Sequence, residues 1–539
     1  MVLRGRIVIV RHVVRCVRSR DFTLVILLVF LAFWWFPSVV VAQDWPQWGG
    51  TASKNMAAPG AKGIRIDFDP GRSQGRSDVI DPATTKHVRW IAKLGSQAYG
   101  NVTVAGGRIF IGTNNASPRD PKYRGDRSVV YCLDEKTGEL IWQFNVRKSG
   151  AGKVGDWEFL GICSSPSVDG DRVYLVTNLC EVICLDVKGN ADGNDGPFKD
   201  EPTYLAGKDK PPIALSKTDA DVIWRFDMAG ELGVFPHNIT SSSVLVAGDR
   251  VYATTSNGVD WSHRDITAPR APTLISLDKR TGKLVGEEAS RISTRLMHCN
   301  WSSPAMGRIN TRDLVLFGAG DGFCYGFDSN PEVDDEGFGI LKEIWRFDCN
   351  PPTHRFKDGQ PIMYPTRAGP SEVIATPVFY DNRVYVAVGQ DPEHGEGVGA
   401  LNCIDAAGKG DISQSGLVWR YTDIGRSIST ASIADGLLFI ADYAGVIHCL
   451  DATTGQVHWK HDTLGHFWAS TLVADGKVII GNEDGILTIM AADKQKKILA
   501  EIEFDGPIYS SAVFARGVLY VATMTHLYAI PAMEDQLRD

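Results

Sequence analysis

The stretch DGLLFIADYAGVIHCLDATTGQVHW, residues 435–459, contains three short apolar segments separated by turns. The first segment follows an Asp-Gly pair, the second ends in Leu-Asp, and the third carries a Trp after a Thr-Gly turn. Apolar segments rich in β-branched and aromatic residues and bounded by Gly and Asp are typical of β-strands. A small-residue segment, STASI (429–433), precedes the stretch and adds a fourth strand. The sequence here therefore predicts a four-stranded antiparallel unit.

The same unit recurs along the chain. Its second strand has eight copies: GGRIFIGT from 106, GDRVYLVT from 170, GDRVYATT from 248, RDLVLFGA from 312, DNRVYVAV from 381, DGLLFIAD from 435, DGKVIIGN from 475 and RGVLYVAT from 516. Five units have a Trp in their fourth strand: LIWQFNV (140–146), VIWRFDM (222–228), EIWRFDC (343–349), LVWRYTD (417–423) and VHWKHDT (457–463). A repeated four-stranded unit of roughly 40 residues is the signature of a β-propeller. We predict an all-β, eight-bladed propeller of four-stranded antiparallel blades.

The two ends of the chain predict how the ring closes. After the last third strand, HLYAIPA (526–532), no Trp strand follows, whereas VRWIAKL (88–94) matches the Trp strands and precedes the first unit. An N-terminal strand that completes the last blade would pair edges that otherwise stay open. The predicted organisation is an extended lead-in over 43–86, a propeller over 87–532 and a short tail over 533–539.

The first 42 residues predict a targeting segment. Six Arg residues precede the apolar run FTLVILLVFLAFWWF (22–36), and Val40 and Ala42 fit the small-residue pattern of a cleavage site. We interpret residues 1–42 as a signal peptide, with a retained membrane anchor as the alternative. In both cases residues 43–539 are exported, to the periplasm or cell envelope.

Net charge and cysteine positions indicate which partners to exclude and which cysteines are structural. The formal net charge of -8 leaves no basic stripe, so nucleic acid is not an expected partner. Five cysteines occupy corresponding strand positions and are predicted to be buried core residues: Cys132, Cys184, Cys324, Cys403 and Cys449. Cys163 with Cys180, at the ends of neighbouring strands, is the candidate disulfide of an exported chain.

The segments CLDEKTGELIW (132–142) and CLDATTGQVHW (449–459) resemble the docking motif of the quinoprotein-like propellers, the fold of the pyrroloquinoline quinone (PQQ) dehydrogenases. The resemblance implies that each Trp packs between neighbouring blades. SLDKRTGKLVG (276–286) keeps the Asp and Gly but has Gly286 in place of the Trp. The motif reports architecture, and it fits binding scaffolds, such as the propellers of outer-membrane assembly, as well as enzymes.

Blade geometry predicts where a ligand would bind. In an antiparallel blade the loops after the second and fourth strands lie on one face, and this face would gather His237, His263, His298, His354, His394 and His466. Loops carry function more often than the scaffold beneath them. The candidate ligand-binding residues are His237, Asn238, Asn257, Asp260, Trp261, His263, His298, Trp301, His394, Glu396, Arg426 and Trp468. The alternative is that these side chains only satisfy the backbone of long loops.

The resemblance also implies PQQ and Ca²⁺ as cofactors, but one residue departs from the pattern that binds them. PQQ alcohol dehydrogenases bind Ca²⁺ through an Asn in a loop that Asn257 and Trp261 match, and their next motif matches at His298 and Trp301. Cys299, however, stands where those enzymes have the proposed catalytic Asp. A thiol is a poor proton acceptor and a poor ligand for a hard cation. We therefore expect no catalytic residue of that pattern, and PQQ and Ca²⁺ belong to the alternative interpretation.

Two further segments have metal-ligand residue types. On the opposite face, DVKGNADGNDGPFKDE (186–201) resembles a Ca²⁺ loop through Asp192, Asn194 and Glu201, but Asp195 replaces the required Gly. At the mouth, GQDPEHGEGVG (389–399) offers Asp391, Glu393, His394 and Glu396 without a defined metal spacing. The alternative for 186–201 is a set of solvated turn residues, and 389–399 is interpreted as a charged hairpin tip, with the metal site as its alternative.

The expected function is that of an exported scaffold that binds a ligand or an envelope protein through the loop-rich face. The alternative is a PQQ- and Ca²⁺-dependent alcohol or sugar dehydrogenase with a rearranged base. A carbohydrate ligand is favoured if Trp261, Trp301 and Trp468 are exposed.

Overall fold

The computed structural model describes residues 43–75 and 77–533, and it forms eight antiparallel blades around a central channel. From the channel outward, the strands of blade 1 are Thr103–Ala105, Arg108–Asn114, Arg127–Asp134 and Leu140–Arg147, and those of blade 2 are Ser167–Asp169, Arg172–Thr177, Glu181–Asp186 and Val222–Asp227. The strands of blade 3 are Leu245–Ala247, Arg250–Thr254, Leu274–Asp278 and Leu284–Glu288, and those of blade 4 are Ala305–Ile309, Arg312–Gly318, Phe323–Asp328 and Glu343–Asp348. Blade 5 has Val378–Tyr380, Arg383–Val388, Ala400–Asp405 and Leu417–Tyr421. Blade 6 has Ser432–Ala434, Leu437–Ala441, Val446–Asp451 and Val457–Asp462, and blade 7 has Leu472–Ala474, Lys477–Gly481, Ile486–Ala491 and Ile498–Glu503. The predicted fold class is confirmed.

Blade 8 is built from both ends of the described chain. Its first three strands are Val513–Ala515, Val518–Ala522 and His526–Pro531, and its outer strand is Trp90–Lys93. Trp90 pairs with Ala529 and Lys93 with His526 in an antiparallel register. The predicted closure by an N-terminal strand is confirmed, and it leaves no blade with an unpaired edge at the junction. The terminal segments 1–42 and 534–539, which include the predicted signal peptide and nearly all of the predicted tail, lie outside the described residues.

Short elements decorate the ring without changing it. The α-helices are Glu201–Ala206, Met228–Leu232 and Pro352–Arg355, and the 3₁₀ turns are Pro82–Thr84, Gly189–Ala191, Ile292–Arg295 and Pro392–His394. The remaining strands are Ala57–Ala58, Glu332–Val333, Gly339–Leu341, Phe356–Lys357, Gln360–Pro361 and Gly410–Asp411. Within residues 43–75 and 77–533, none of the helices is long and apolar enough to span a bilayer.

The Trp residues of the outer strands join neighbouring blades, as the resemblance implied. The indole Nε1 of Trp142 donates to the carbonyl of Val187 at 3.0 Å, and that of Trp224 donates to Lys279 at 3.1 Å. Each ring lies against the turn of the next blade, so a Cβ at Gly282 would come within 2.4 Å of the Trp224 ring. Gly282 also has a φ of +70°, which favours glycine. The motif therefore fixes how the blades pack.

Blade 3 lacks this Trp, and an insertion from blade 4 takes its place. A Cβ at Gly286 would lie 2.6 Å from Cγ of Pro331. Next to Pro331, the strand Gly339–Leu341 pairs in parallel with the outer strand of blade 3, with Glu287 opposite Ile340. The insertion thus covers the surface that a Trp covers in the six blades that have one.

The cysteine predictions have two outcomes. The five repeat cysteines are buried and free, so they are core residues as predicted. The predicted Cys163–Cys180 disulfide is wrong, because both cysteines are free. The Sγ of Cys163 contacts the carbonyl of Gly161 at 3.7 Å, whereas that of Cys180 contacts the carbonyl of Thr255 at 3.6 Å. Adjacent strand ends therefore did not bring the two thiols together.

A belt of hydrogen bonds surrounds the central channel. One polar residue per blade, at or before the start of the innermost strand, faces the channel, and its backbone N–H donates to the side-chain oxygen of the next such residue. Seven of these bonds, 2.5–3.1 Å long, connect Asn101, Ser165, Ser243, Ser303, Thr376, Thr430, Ser470 and Ser511. The last bond, from Ser511 to Asn101, joins blade 8 to blade 1. The belt holds the inner ends of the blades in register.

The lead-in crosses one end of the channel, which we call the far end. It bonds successively to the innermost strands, and its carbonyls accept from the backbone N–H of Val168, Met306, Phe379 and Val473 at 2.7–3.0 Å. Those strand residues lie next to the turns between first and second strands, on the face away from the long loops. Trp48 reaches into the channel and donates its indole N–H to Thr376 of the belt at 2.9 Å. Lys54 is fully buried beside it, with Nζ 2.9 Å from Oε1 of Gln47.

Candidate functional site

The other end of the channel, the mouth, contains an aromatic pocket. The pocket has a volume of about 630 Å³, and its rings come from four linkers between blades and one loop after a second strand: Tyr99, Trp157, Trp301, Tyr443 and Trp468. All five rings are partly exposed. Asn238, Glu158 and Glu393 add polar groups to the lining. Below the pocket the channel narrows to the belt, where Trp48 lies.

Four rings at the mouth pack against one another across neighbouring blades. Trp468 stacks on Tyr509 with ring centroids 5.1 Å apart, and it meets Tyr99 and Tyr443 edge-on at 5.9 and 6.0 Å. The sequence predicted Trp468 and Trp301 here but missed Tyr99, Trp157, Tyr443 and Tyr509. Tyr99 and Tyr509 stand shortly before an innermost strand, and this position in the repeat was the available signal.

Beside the pocket, three predicted histidines come together. The ring centroids of His237, His263 and His298 are 4.5 to 4.9 Å apart, and one nitrogen from each lies within 4.8 Å of the other two. They come from three separate segments, the linkers before blades 3 and 4 and the loop after the second strand of blade 3. His237 and His298 are fully buried, and His263 is partly exposed. We call these residues the histidine cluster.

A hydrogen bond orients His237, and an ion pair orients His298. The Nδ1 of His237 lies 2.7 Å from the carbonyl of Val259, so this nitrogen carries the proton and Nε2 is a free acceptor. The Nδ1 of His298 lies 2.6 Å from Oδ2 of Asp391. The Nε2 atoms of His237 and His298 are both buried without a hydrogen-bond partner. Nδ1 of His298 forms no hydrogen bond either, so its contact with Asp391 is an ion pair, whereas the two Nε2 atoms have neither kind of partner.

The electrostatics of the two buried rings differ. Burial and the neighbouring His298 lower the pKa of His237 to about 4, so this ring is neutral at neutral pH. Burial also disfavours charge on His298, but the carboxylates of Asp391 and Glu372 outweigh it and raise the pKa to about 9. Burial works against ionisation of Asp391 as well, yet its contacts with His298 and His394 hold the pKa below the ordinary value.

A buried charged network lies behind the cluster. Asp391 also contacts His394, with Oδ2 2.9 Å from Nδ1. Tyr364 donates to Oε1 of the buried Glu372 at 3.2 Å. Arg426 is 2% exposed, and burial lowers its pKa although Glu372, Tyr364 and Asp391 favour its charge. Its guanidinium lies against Gly397, where a Cβ would come within 2.0 Å of an Nη atom. Sequence reasoning missed Tyr364 and Glu372, which belong to no motif.

The remaining predicted residues divide between the lining of the pocket and the loops around it. Trp261 is 67% exposed, and the carboxylate of the partly exposed Asp260 accepts from Ser262 at 2.8 Å. Glu396 is exposed, 3.8 Å from an Nη atom of Arg367. Asn238 lines the pocket, as Trp301 and Trp468 do. His354 lies in the short helix Pro352–Arg355, and His466 stacks on Tyr443 at 4.6 Å.

The residues that match the PQQ dehydrogenase pattern do not fit Ca²⁺ or a catalytic base. Asn257 is buried, its Oδ1 accepts from the N–H of Phe235 at 3.0 Å, and its Nδ2 donates to Ala268 and Ser293. Cys299 is buried, and burial raises the pKa of its thiol far above the ordinary value. Its Sγ lies 3.2 Å from the carbonyl of Ser256. The amide and the thiol are therefore both engaged in holding the loop.

In the predicted Ca²⁺ loop on the opposite face, the candidate ligands bond to side chains of the same segment. Nδ2 of Asn194 donates to Oε2 of Glu201 at 2.6 Å, and Lys199 donates to Oδ1 of Asn194 at 2.9 Å. Asp192 pairs with Lys188 at 2.9 Å. In the part of the chain that the structure describes, the groups of His, Cys, Asp and Glu close enough to share an ion are the histidine cluster and the set His298, Asp391 and His394. Calcium binding by the loop stays a prediction.

Fold and site together define a quinoprotein-like, eight-bladed propeller with a ligand-sized pocket at its mouth. A sequence model of the family described as "Outer membrane protein assembly factor BamB" matches residues 78–331 and 399–500. The match covers more than half of the chain, and the protein belongs to this family. No curated protein sequence matches it.

Among solved structures, a BamB propeller shows the same fold. BamB from Moraxella catarrhalis is 13% identical with a TM-score of 0.51, covering 82% of this chain and 96% of that chain. A quinohemoprotein alcohol dehydrogenase from Comamonas testosteroni is 15% identical with a TM-score of 0.46, covering 91% of this chain and 80% of that chain. A computationally designed protein, Ika8, is 12% identical with a TM-score of 0.46, covering 83% of this chain and 100% of that chain.

Proposed function

We propose that the protein is a binding scaffold of the cell envelope that takes its ligand or partner in the aromatic pocket of the mouth. The pocket itself carries this proposal. Five partly exposed rings converge on a cavity of about 630 Å³ that also presents Asn238, Glu158 and Glu393. A concave, largely aromatic lining with a few polar groups is the composition of a ligand site. Aromatic faces suit an apolar side chain of a partner protein or the flat face of a sugar ring.

Two observations support a place in the envelope. The family is described by a factor of outer-membrane protein assembly. The Arg-rich start, the apolar run and the small residues at Val40 and Ala42 have the pattern of a signal peptide. In this proposal residues 43–539 act after export, and any membrane contact is made through the N-terminal segment when it is retained.

The dehydrogenase alternative has weaker support from the same site. Its pattern requires an Asn that is available to Ca²⁺ and a carboxylate beside it. Asn257 already accepts one backbone N–H and donates two hydrogen bonds, and Cys299 replaces the carboxylate. A buried thiol that favours its neutral form neither accepts the alcohol proton nor binds a hard cation. We therefore derive no quinone chemistry from these residues.

Photo-cross-linking tests the proposed pocket. A benzophenone amino acid replaces Trp468 in the full chain, which is produced in cells, and the products are separated after irradiation. The matched control carries the same group at Val333, which is 73% exposed in an insertion that lies on the opposite face. We expect a discrete adduct from position 468, a protein or a glycan, and none from position 333. Adducts from position 333 alone would contradict a binding site at the mouth.

A second experiment separates the scaffold from the dehydrogenase. The purified protein is incubated with PQQ and Ca²⁺, and quinone absorbance is measured together with dye reduction over a panel of alcohols and aldoses. The scaffold proposal predicts no turnover. A stoichiometric bound quinone with turnover would overturn it.

A further inference from the structure

We infer that His237, His263 and His298 form a binding site for one divalent transition-metal ion, with Zn²⁺ as the probe of choice. The site lies in the wall of the mouth, beside the aromatic pocket. It does not rest on the scaffold proposal, because it is argued from the histidine cluster alone.

The first argument is the pair of unsatisfied nitrogens. Nε2 of His237 and Nε2 of His298 are buried and have no hydrogen-bond partner. Buried polar atoms are almost always paired, so each exception needs a physical explanation. Both atoms belong to rings whose centroids are 4.5 Å apart, and His263 lies within 4.9 Å of each. A cation shared by the three imidazoles satisfies both nitrogens at once.

The second argument is the support behind the rings. A histidine that binds a metal usually donates its other ring N–H to a carboxylate or a backbone carbonyl, which fixes the ring and its tautomer. Both buried rings have such a partner. Nδ1 of His237 lies 2.7 Å from the carbonyl of Val259, and Nδ1 of His298 lies 2.6 Å from Asp391. These contacts occupy Nδ1 of both rings, so the Nε2 atoms are the nitrogens that remain for a metal ion, and they belong to the same cluster.

The second possible set, His298, Asp391 and His394, does not need an ion. Oδ2 of Asp391 lies 2.6 Å from Nδ1 of His298 and 2.9 Å from Nδ1 of His394. Both contacts are ion pairs between this carboxylate and an imidazole, so the rings themselves account for the position of Asp391. Asp391 is thus assigned to the support of His298 and not to the metal.

The geometry and the ligand type indicate the class of ion. Metal–nitrogen distances of about 2.0–2.1 Å place the nitrogens of one tetrahedral site about 3.3 Å apart. The three nitrogens here lie within 4.8 Å of one another, so a modest side-chain rotation completes the site. His263 is on a partly exposed loop and is the ring best able to make this movement. Imidazole ligands suit Zn²⁺, Cu²⁺, Ni²⁺ and Fe²⁺ and not Ca²⁺ or Mg²⁺.

Three protein ligands leave one position open in a tetrahedral site. Trp301 lies between the cluster and the pocket, since it lines the pocket and also meets His298 edge-on at 4.9 Å. An ion held here would keep a water molecule, or a donor atom from a molecule in the mouth, at its fourth position.

Metal titration of the full chain tests the inference. The protein is stripped with a chelator, Zn²⁺ binding is followed by calorimetry, and Co²⁺ replaces Zn²⁺ for absorption spectroscopy. We expect one ion per chain and a Co²⁺ spectrum of tetrahedral type. His237→Gln, His263→Gln and His298→Gln each lower the affinity at least about tenfold. Asp391→Asn lowers it about 10- to 100-fold, the usual effect of losing such a support.

The controls separate a site from adventitious binding. His466→Gln changes a mouth histidine outside the cluster and leaves the affinity unchanged. Circular dichroism checks the fold of each variant. The ring of His263 is partly exposed, so His263→Gln should fold even if the variants of the two buried histidines do not. The inference is wrong if the wild type binds Zn²⁺ no more tightly than His263→Gln. It is also wrong if His466→Gln or His394→Gln removes the binding while His263→Gln retains it.

Discussion

The two ends of the central channel are built in different ways. At the far end the lead-in runs across successive blades and forms backbone hydrogen bonds with their innermost strands, and Trp48 and Lys54 both have side-chain partners. At the mouth, loops and linkers of unequal length meet, and buried nitrogens of His237 and His298 have no partner. The far end repeats one kind of backbone contact from blade to blade, whereas the mouth is formed by loops that differ from blade to blade.

The difference teaches where to look for function in a repeat fold. A segment that pairs its backbone with successive blades stabilises the ring and presents little chemistry. Insertions that bury charged groups and leave acceptors open are costly to the fold, and such costs are concentrated at functional sites. The following predictions test this division between a structural far end and a binding mouth.

Trp48→Ala should have the largest effect on stability. The side chain is 7% exposed, belongs to the hydrophobic core and donates to Thr376. We expect a loss of about 3–5 kcal/mol in the free energy of unfolding, as for other buried Trp residues. Urea unfolding measures it, with Trp261→Ala at the mouth as the control. Trp261 is 67% exposed, and its replacement should cost less than about 0.5 kcal/mol. Equal losses in the two variants would break the comparison.

Lys54→Met should stabilise the protein in a pH-dependent way. Burial lowers the pKa of Lys54 to about 7, so the unfolded chain binds more protons between pH 7 and the ordinary pKa of 10.5. The penalty of the buried charge is fully present below about pH 7 and fades as the pH rises towards 10.5. After the lost hydrogen bond to Gln47 is subtracted, we expect a gain of about 3 kcal/mol at pH 6.5.

Urea midpoints of wild type and Lys54→Met from pH 6.5 to 10.5 measure this gain. The exposed Lys62 supplies the control, because Lys62→Met should show no such dependence. A gain that stays constant with pH would mean that Lys54 is not held as a buried amine.

Ser470→Ala should have the smallest effect of the three. Its Oγ accepts the N–H of Thr430 at 2.8 Å, and both residues are buried in the belt that separates the two ends. The substitution leaves that N–H without an acceptor, at a cost of about 1–3 kcal/mol. Thermal unfolding compares it with Ser262→Ala, an exposed serine at the mouth that should be neutral. No difference between the two would show that the belt does not hold the blades.

Much of the fold could be predicted because its pattern is local and repeated. Strand alternation and turn residues recur in all eight units and the outer-strand Trp in six, so errors in one unit are corrected by the others. The unmatched strand at 88–94 then determined the closure of blade 8, and the structure has that pairing. The disulfide failed because residues at adjacent strand ends point their side chains in directions that chain order does not determine.

For the site, the sequence predicted only the face of the ring on which it lies. Blade topology placed six histidines on one side of the ring, but the structure brings His237, His263, His298 and His394 together and leaves His354 and His466 in other surroundings. Tyr364 and Glu372, which complete the buried network, carry no motif.

By itself, the sequence determined the propeller, the number of its blades and the strand that closes it, because hydrophobic period and turn chemistry act over a few residues. Only the tertiary structure decided which polar groups meet. The carbonyl of Val259 fixes His237 and the carboxylate of Asp391 fixes His298, and these contacts join loops and linkers that are far apart in the chain. Loop conformation and ring orientation therefore create the open acceptors at the mouth.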